Sequence, residues 1–236
     1  MKKIVILCIS GLLLTACKKV ENNQQLQMSG TVEGLKKGTL YVQKFGDSML
    51  VNIDTIHING SPDFQIQLDI KEPEMLQLML DRGATHSKDD QLPFFAEPGH
   101  IRIKTSLEAF SAGTITGSAN QKIYDEFKTV SNRFNDQDLA LIQKGFKAYK
   151  NKNQAQLDSI NLAQKEVLKR RYLYVVNFAL NHRNREVAPY VVLTEIPNVG
   201  LKYLDTIQKS MPEPIKKSLY GQKMMELYQA RVKSGN

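Results

Sequence analysis

The stretch SANQKIYDEFKTVSNRF, residues 118–134, decides the architecture, because its apolar residues are spaced differently from those before it. Steps of four, three and four residues place four of them on one face of an α-helix: Ile123, Phe127, Val130 and Phe134. Upstream of Ser118, apolar and polar residues alternate instead. The sequence therefore predicts a β unit, a change of secondary structure near Ser118, and then a helical unit.

Alternating segments upstream of this change predict short strands. Residues 49–58 and 64–68 alternate between apolar and polar side chains, and Asn59-Gly60 lies between them. Asn-Gly between two such segments is the strongest short hairpin signal, so the sequence predicts that these two strands pair. Over 26–117 we expect an antiparallel β-sandwich or partial barrel of about seven or eight strands.

Helical spacing continues further along the chain. A second set of apolar residues repeats it before a break at 151–153: Leu139, Ile142, Phe146 and Tyr149. A second long helix is predicted over about 154–181, and its nearly apolar end, 172–180, should be buried. Prolines then punctuate short helices, the last over about 215–232. We expect an all-α unit over 118–236, which makes the fold class α+β.

The first residues have the order of charges and apolar residues that is typical of a secretory signal. Lys2 and Lys3 precede an apolar segment of about a dozen residues, whereas a transmembrane helix needs roughly 20. Leu14-Thr15-Ala16-Cys17 then resembles the lipobox of bacterial lipoproteins. That resemblance implies cleavage before Cys17, a diacylglyceryl group on its sulfur, and acylation of the new amine. The alternative is that Cys17 is an ordinary small residue near an ordinary cleavage site.

These features predict a signal peptide over 1–16, a lipidated tether over 17–25 and attachment to a membrane through the lipid. Lys18 and Lys19 follow the cysteine, where inner-membrane retention signals usually carry aspartate. By that resemblance we expect the outer membrane of the cell envelope. The acidic stretch that sends some lipoproteins to the cell surface is also missing, which favours the periplasmic face.

The cysteine content and the charge distribution limit the classes of function. Cys8 lies in the predicted signal peptide and Cys17 would carry lipid, so the mature chain would have no free thiol and no disulfide. The formal charge of +8 is unevenly spread. Residues 29–120 hold 8 Lys and Arg against 12 Asp and Glu, which gives −4. Residues 121–236 hold 20 against 11, which gives +9. Two units with different surfaces are expected.

A search for catalytic, metal-binding and cofactor-binding patterns finds none, and we predict no enzyme activity, metal or cofactor. The sequence has no His-Glu-x-x-His, Gly-x-Ser-x-Gly, Ser-x-x-Lys or Gly-rich phosphate loop. The histidines are scattered: His57, His86, His100 and His182. His86 with Asp81, Asp89 and Asp90 forms an acidic loop that is either a weak cation site or, as we expect, a solvated loop.

A basic cluster on the second long helix is the one candidate for binding a partner: Lys165, Lys169, Arg170 and Arg171. It could contact phosphates, an anionic glycan or an acidic protein. The alternative, which the residues alone favour, is a helix face whose charges are only solvated. Nucleic acid is not expected as a partner in the envelope.

Three segments of the strand region resemble the family of domain of unknown function 4369: GTVEG (30–34), GTLYV (38–42) and FFAEPG (94–99). The resemblance covers roughly 27–120. By resemblance, such a domain opens bacterial lipoproteins whose C-terminal half is a thioredoxin-like domain. SLYGQK (218–223) is similar to the helix before that half. No Cys-x-x-Cys occurs, so the redox activity of those relatives is not carried over. We expect their N-terminal module and helical connector, standing alone.

These observations favour a non-catalytic, lipid-anchored envelope protein that binds another protein and that is associated with thiol-redox partners. One alternative is an envelope hydrolase with an acid pair that has no recognisable motif. Another is a regulatory partner that docks on separate thioredoxin-like proteins. A cleft with converging carboxylates would favour the hydrolase. An apolar patch rimmed by polar groups would favour partner binding.

Overall fold

The computed structural model describes residues 25–46, 49–83 and 87–234. The predicted signal peptide, the lipid site at Cys17 and the tether up to residue 24 lie outside the described residues. Among the helices that are described, none is both long enough and apolar enough to span a membrane.

The described residues form eight strands, six α-helices and two short 3₁₀ turns. The strands are β1 (Gln25–Glu33), β2 (Lys37–Phe45), β3 (Leu50–Asn59), β4 (Asp63–Asp69), β5 (Glu74–Asp81), β6 (Gln91–Ala96), β7 (Gly99–Ser106) and β8 (Thr114–Thr116). The helices are α1 (Ala119–Lys150), α2 (Gln154–Asn181), α3 (Val187–Glu195), α4 (Leu201–Ser210), α5 (Glu213–Lys216) and α6 (Leu219–Lys233).

The strands build two four-stranded sheets that face each other across an apolar core. One sheet has the order β4-β1-β7-β8 and the other the order β3-β2-β5-β6. Alternate residues of the strands point inward because successive side chains in a strand lie on opposite faces. Fully buried members of this core include Leu26, Met28, Leu40, Leu76, Leu78, Phe94, Ile101 and Ile103. The predicted α+β class with a sandwich of about eight strands is confirmed, and the sheets do not close into a barrel.

The predicted hairpin at Asn59-Gly60 is wrong, because β3 pairs with β2 and β4 pairs with β1. Gly60 has a φ of 96°, so the pair does supply a turn that glycine favours. That turn instead carries the chain from one sheet to the other, and the Gly60 N–H donates to the carbonyl of Lys36 at 2.8 Å. Turn residues fix the local backbone, whereas strand pairing depends on which partner buries each apolar face.

One strand pair also departs from the expected antiparallel arrangement. β1 and β7 run parallel, with Leu26 opposite Gly99 and Glu33 opposite Ser106. The cause is the connection between β6 and β7, which crosses from one sheet to the other instead of forming a hairpin. β7 consequently enters the first sheet beside β1 and in the same direction.

The helices pack as a second layer around their own apolar core. α1 and α2 form an antiparallel hairpin, and the predicted break at 151–153 is its turn. A helix of 32 residues extends about 48 Å at 1.5 Å per residue, so α1 reaches well beyond the strands. As predicted, the end of α2 is largely buried through Val175, Val176, Phe178 and Ala179.

Strands β5 and β6 join the two cores. Alternation along β6 turns Phe94 into the sandwich and Phe95 into the helical core, where Met75 of β5 also lies. Phe95 is fully buried, and its ring makes edge contacts with Tyr190 at 5.6 Å and Tyr220 at 6.0 Å between centroids. Burial raises the pKa of both tyrosines, so their hydroxyls remain protonated.

Two backbone donors of the sheet that lack a strand partner are satisfied by the helices. β6 is an edge strand, and the Phe95 N–H donates to Oε1 of the buried Gln121 at 2.7 Å. The β2–β5 ladder ends at Leu76, and the next N–H, of Met75, donates to the Tyr220 hydroxyl at 2.7 Å. An unpaired buried N–H would cost about 1–3 kcal/mol. The helical layer therefore completes the sheet.

Candidate binding groove on the helical unit

The structure divides the predicted basic cluster of α2 between three sides of the helix. Arg170 donates to Oε1 of Gln137 on α1 at 3.0 Å. Arg171 forms an ion pair with Glu195 at the end of α3. Successive residues of a helix are about 100° apart, so Arg170 and Arg171 point in different directions from α2. Lys165 and Lys169 lie one turn apart on the side of α2 that faces α4.

These two lysines line an open groove between α2 and the segment that leads into α4. The groove encloses about 320 Å³. Its other lining residues are Leu168, Tyr172, Leu173 and Val176 from α2, with Val199, Gly200 and Tyr203 from the opposite wall. Apart from the lysine ammonium groups, the tyrosine hydroxyls and the backbone, the lining is apolar.

The groove has a buried floor and exposed walls. Val176 and Val199 are buried, whereas Leu168 is 49% exposed and Leu173 and Tyr203 are each 41% exposed. Leu162, also exposed, lies two turns or less from both lysines and continues the apolar face towards the hairpin turn. Contiguous apolar surface rimmed by polar groups is typical of a site where a soluble protein binds something.

The wall opposite α2 is held in place by α6. Arg231 donates to the carbonyl of Val199 and, at 3.4 Å, to that of Pro197. Tyr228 donates to Asp205 of α4 at 3.3 Å. The hydrogen bond from Lys209 holds the pKa of Asp205 below its usual range, which keeps that acceptor ionised. These contacts position the start of α4, so the groove is already formed without a ligand.

A second, more polar depression adjoins the groove along the α1–α2 seam. It shares Lys165 and Leu168 with the groove and is otherwise lined by Phe134, Asn135, Asp138, Asn161, Gln164, Val167 and Arg171. The two depressions together give α2 a continuous concave surface. Lys165 lies between them, where its ammonium group can reach an acidic group in either.

The remaining residues considered from the sequence do not converge on a site. His57 and His100 are exposed on β3 and β7, and the His182 ring packs on Phe178 at the end of α2. His86 lies outside the described residues. In the acidic loop, Asp90 pairs with Arg82 and Asp81 accepts from the Gly83 N–H at 2.7 Å. No cluster of three or more His, Cys, Asp or Glu residues with metal-binding geometry occurs in the described part of the chain.

Comparison with protein families gives one match. Residues 26–124 fit the model of the domain of unknown function DUF4369. This segment is a DUF4369 domain. It takes in all eight strands and continues into the first two turns of α1. The DUF4369 domain thus includes Gln121, the residue that pairs with the edge strand β6.

The predicted family is therefore confirmed for the β unit. The groove lies outside the DUF4369 domain, on α2 and α4. No curated protein matches the chain.

The sequence pointed to Lys165 and Lys169 but missed the apolar side chains beside them. A signal for those was present: Leu168, Tyr172 and Val176 recur every four residues on a face different from the one that meets α1. A helix that carries apolar residues on two faces needs two partners. The second partner here is α4, which begins some thirty residues later, and it covers that face only in part.

Proposed function

We propose that this protein is a non-catalytic binding module of the bacterial cell envelope, anchored by lipid on Cys17, and that its groove on α2 receives a segment of a partner protein. The observation that carries the proposal is the preformed apolar groove with Lys165 and Lys169 at its rim. Beside its lysines and tyrosines, the lining contains no carboxylate, histidine, serine or threonine with which they could form an acid–base pair.

The groove fits an amphipathic helix or extended segment with acidic residues beside its apolar ones. Exposed leucines on the walls offer contact along the length of α2, which suits a chain segment. The lysines are exposed and form no salt bridge with any described residue, so carboxylates of a partner could approach them. Such charge pairs add specificity and association rate, while the apolar contacts supply most of the affinity.

The proposed setting is the outer membrane, on the periplasmic face, with a thiol-redox protein as the class of partner. The resemblance of the strand region to modules of thioredoxin-like lipoproteins supports this choice of partner. With Cys17 lipidated and Cys8 removed, the mature chain carries no thiolate, and thiol–disulfide exchange requires one. Its role would then be to hold such a partner near the membrane.

The test is a charge reversal in the groove. We expect Lys165→Glu with Lys169→Glu to lower the recovery of a cross-linked envelope partner at least about tenfold, because like charges would repel its acidic groups. The measurement is quantitative recovery of the partner after mild cross-linking in cells. Added salt should weaken the wild-type complex as well, since exposed charges are screened within about 8 Å at physiological ionic strength.

The matched control is Lys36→Glu with Lys37→Glu, which changes the net charge equally at the exposed start of β2. This variant should retain the partner. Equal recovery with the groove variant and the wild type would contradict the proposal, as would the absence of any partner of the wild type.

A further inference from the structure

The outer half of α1 exposes an apolar row that no described residue covers. Its members are Leu139, Ile142, Phe146 and Tyr149. Phe146 is 71% exposed and Tyr149 75%, although both are aromatic. Exposed fractions this high for two neighbouring aromatic residues on one helix face indicate a contact with something outside the chain.

The row is exposed because α1 turns a different face to α2. Ala148 is fully buried near the turn between the two helices, and a Cβ on Gly145 would lie 3.9 Å from Cγ2 of Ile160 on α2. Gly145 and Ala148 therefore mark the face of α1 that is turned towards α2. Phe146 and Tyr149 each follow one seam residue directly, so they lie about 100° round the helix from the seam.

The same end of the hairpin is strongly basic. Residues 139–157 contain four lysines and no aspartate or glutamate. All four lysines are exposed: Lys144, Lys147, Lys150 and Lys152. None of them forms a salt bridge within the described part of the chain. Lys147 and Lys150 form a row next to the apolar one, since each follows an apolar-row residue by one position.

We propose that this hairpin end binds the surface of an anionic lipid bilayer. Exposed aromatic residues beside lysines are the composition of helices that lie in the membrane interface. The rings enter the headgroup region, and the lysine stems let the ammonium groups reach lipid phosphates. A bilayer suits this surface better than a single protein partner does, because the hairpin end combines exposed aromatic rings with four exposed lysines and no acidic residue, which complements anionic headgroups.

The start of α1 lies at the same end of the sandwich as the start of β1, which the proposed anchor at Cys17 precedes in the sequence. β1 begins beside the start of β7, with Leu26 opposite Gly99. α1 begins at the same end of the sandwich, where the Ala119 N–H donates to Glu97. β1 and α1 therefore both begin at this end of the sandwich. The contact adds a second, reversible attachment that would orient the groove relative to the bilayer.

The test uses unlipidated protein of residues 18–236, which contains every described residue, and vesicles of phosphatidylcholine with or without phosphatidylglycerol. Co-sedimentation should show binding to the anionic vesicles and much weaker binding to the neutral ones. Phe146→Ala with Tyr149→Ala should lower the partition coefficient at least about tenfold, since two aromatic insertions are lost. Lys147→Gln with Lys150→Gln should lower the partition coefficient on anionic vesicles by a similar factor. The same variant should leave the weak binding to neutral vesicles unchanged.

Two control pairs test whether vesicle binding is specific to this surface. Phe45→Ala with Val51→Ala removes two exposed apolar side chains from the β unit, and Lys36→Gln with Lys37→Gln removes two exposed charges there. Both should bind vesicles as the wild type does. The proposal is overturned if wild-type protein stays in solution with anionic vesicles. It is also overturned if the Phe146 and Tyr149 variant binds as well as the wild type.

Discussion

Gly117→Ala is expected to lower the free energy of unfolding by at least about 3 kcal/mol. Gly117 joins β8 to the start of α1 with a φ of 99°, a backbone conformation that costs an L-residue energy. A Cβ at this position would also overlap the carbonyl oxygen of His100, which belongs to the backbone of β7 and cannot rotate away. Because whole domains are stable by only about 5–15 kcal/mol, denaturant unfolding should show the loss clearly.

The control is a second glycine-to-alanine change, which is expected to raise the free energy of unfolding. Gly145 lies within α1, and a Cβ there would meet only Cγ2 of Ile160 at 3.9 Å, an ordinary contact. Gly145→Ala should therefore stabilise by about 0.5–1 kcal/mol, because alanine favours the helix. If Gly117→Ala leaves the free energy of unfolding unchanged or raises it, the turn at Gly117 is not as described.

Phe95→Ala is expected to cost about 3–5 kcal/mol of unfolding free energy. The ring is fully buried between the sheet and the helices, and the change would leave a cavity beside Tyr190 and Tyr220. Since the ring belongs to a strand but packs in the helical core, the loss should weaken the attachment of the helices to the sheet. Hydrogen exchange should report faster opening of α3 and α6, which contain those two tyrosines.

Phe45→Ala is the matched change on an exposed ring of β2, a strand of the same sheet. It should change the free energy of unfolding by no more than about 0.5 kcal/mol, since a solvent-facing side chain loses little packing. Equal destabilisation by Phe95→Ala and Phe45→Ala would contradict the placement of Phe95 between the two cores.

Features that depend on local spacing could be predicted from the sequence. The bounds predicted for the second long helix, about 154–181, match α2, because Asn153 caps its start by accepting from the Gln156 N–H at 3.1 Å. Its apolar end is buried, as its composition indicated. The change from strands to helices near Ser118 follows from the same kind of signal, as Ser118 is the N-cap of α1.

Features that depend on distant partners could not be predicted in this way. Asn59-Gly60 indicates a turn, yet the identity of the strands that pair depends on contacts from Gln25 to Asp69. The groove likewise needs a wall from α4, some thirty residues after the lysines. The division of the basic cluster is an intermediate case, since the 100° step between Arg170 and Arg171 already places them on different sides of a helix.

Site-specific photo-cross-linking from the groove tests the central claim most directly. A benzoylphenylalanine in place of Tyr203 would lie on the groove wall, and one in place of Phe45 would lie on the β unit, both being exposed positions. On illumination in cells, the probe at Tyr203 should give one discrete protein adduct, which Lys165→Glu with Lys169→Glu abolishes. The probe at Phe45 should not give that adduct. An identical adduct from both positions, or none from Tyr203, would contradict partner binding in the groove.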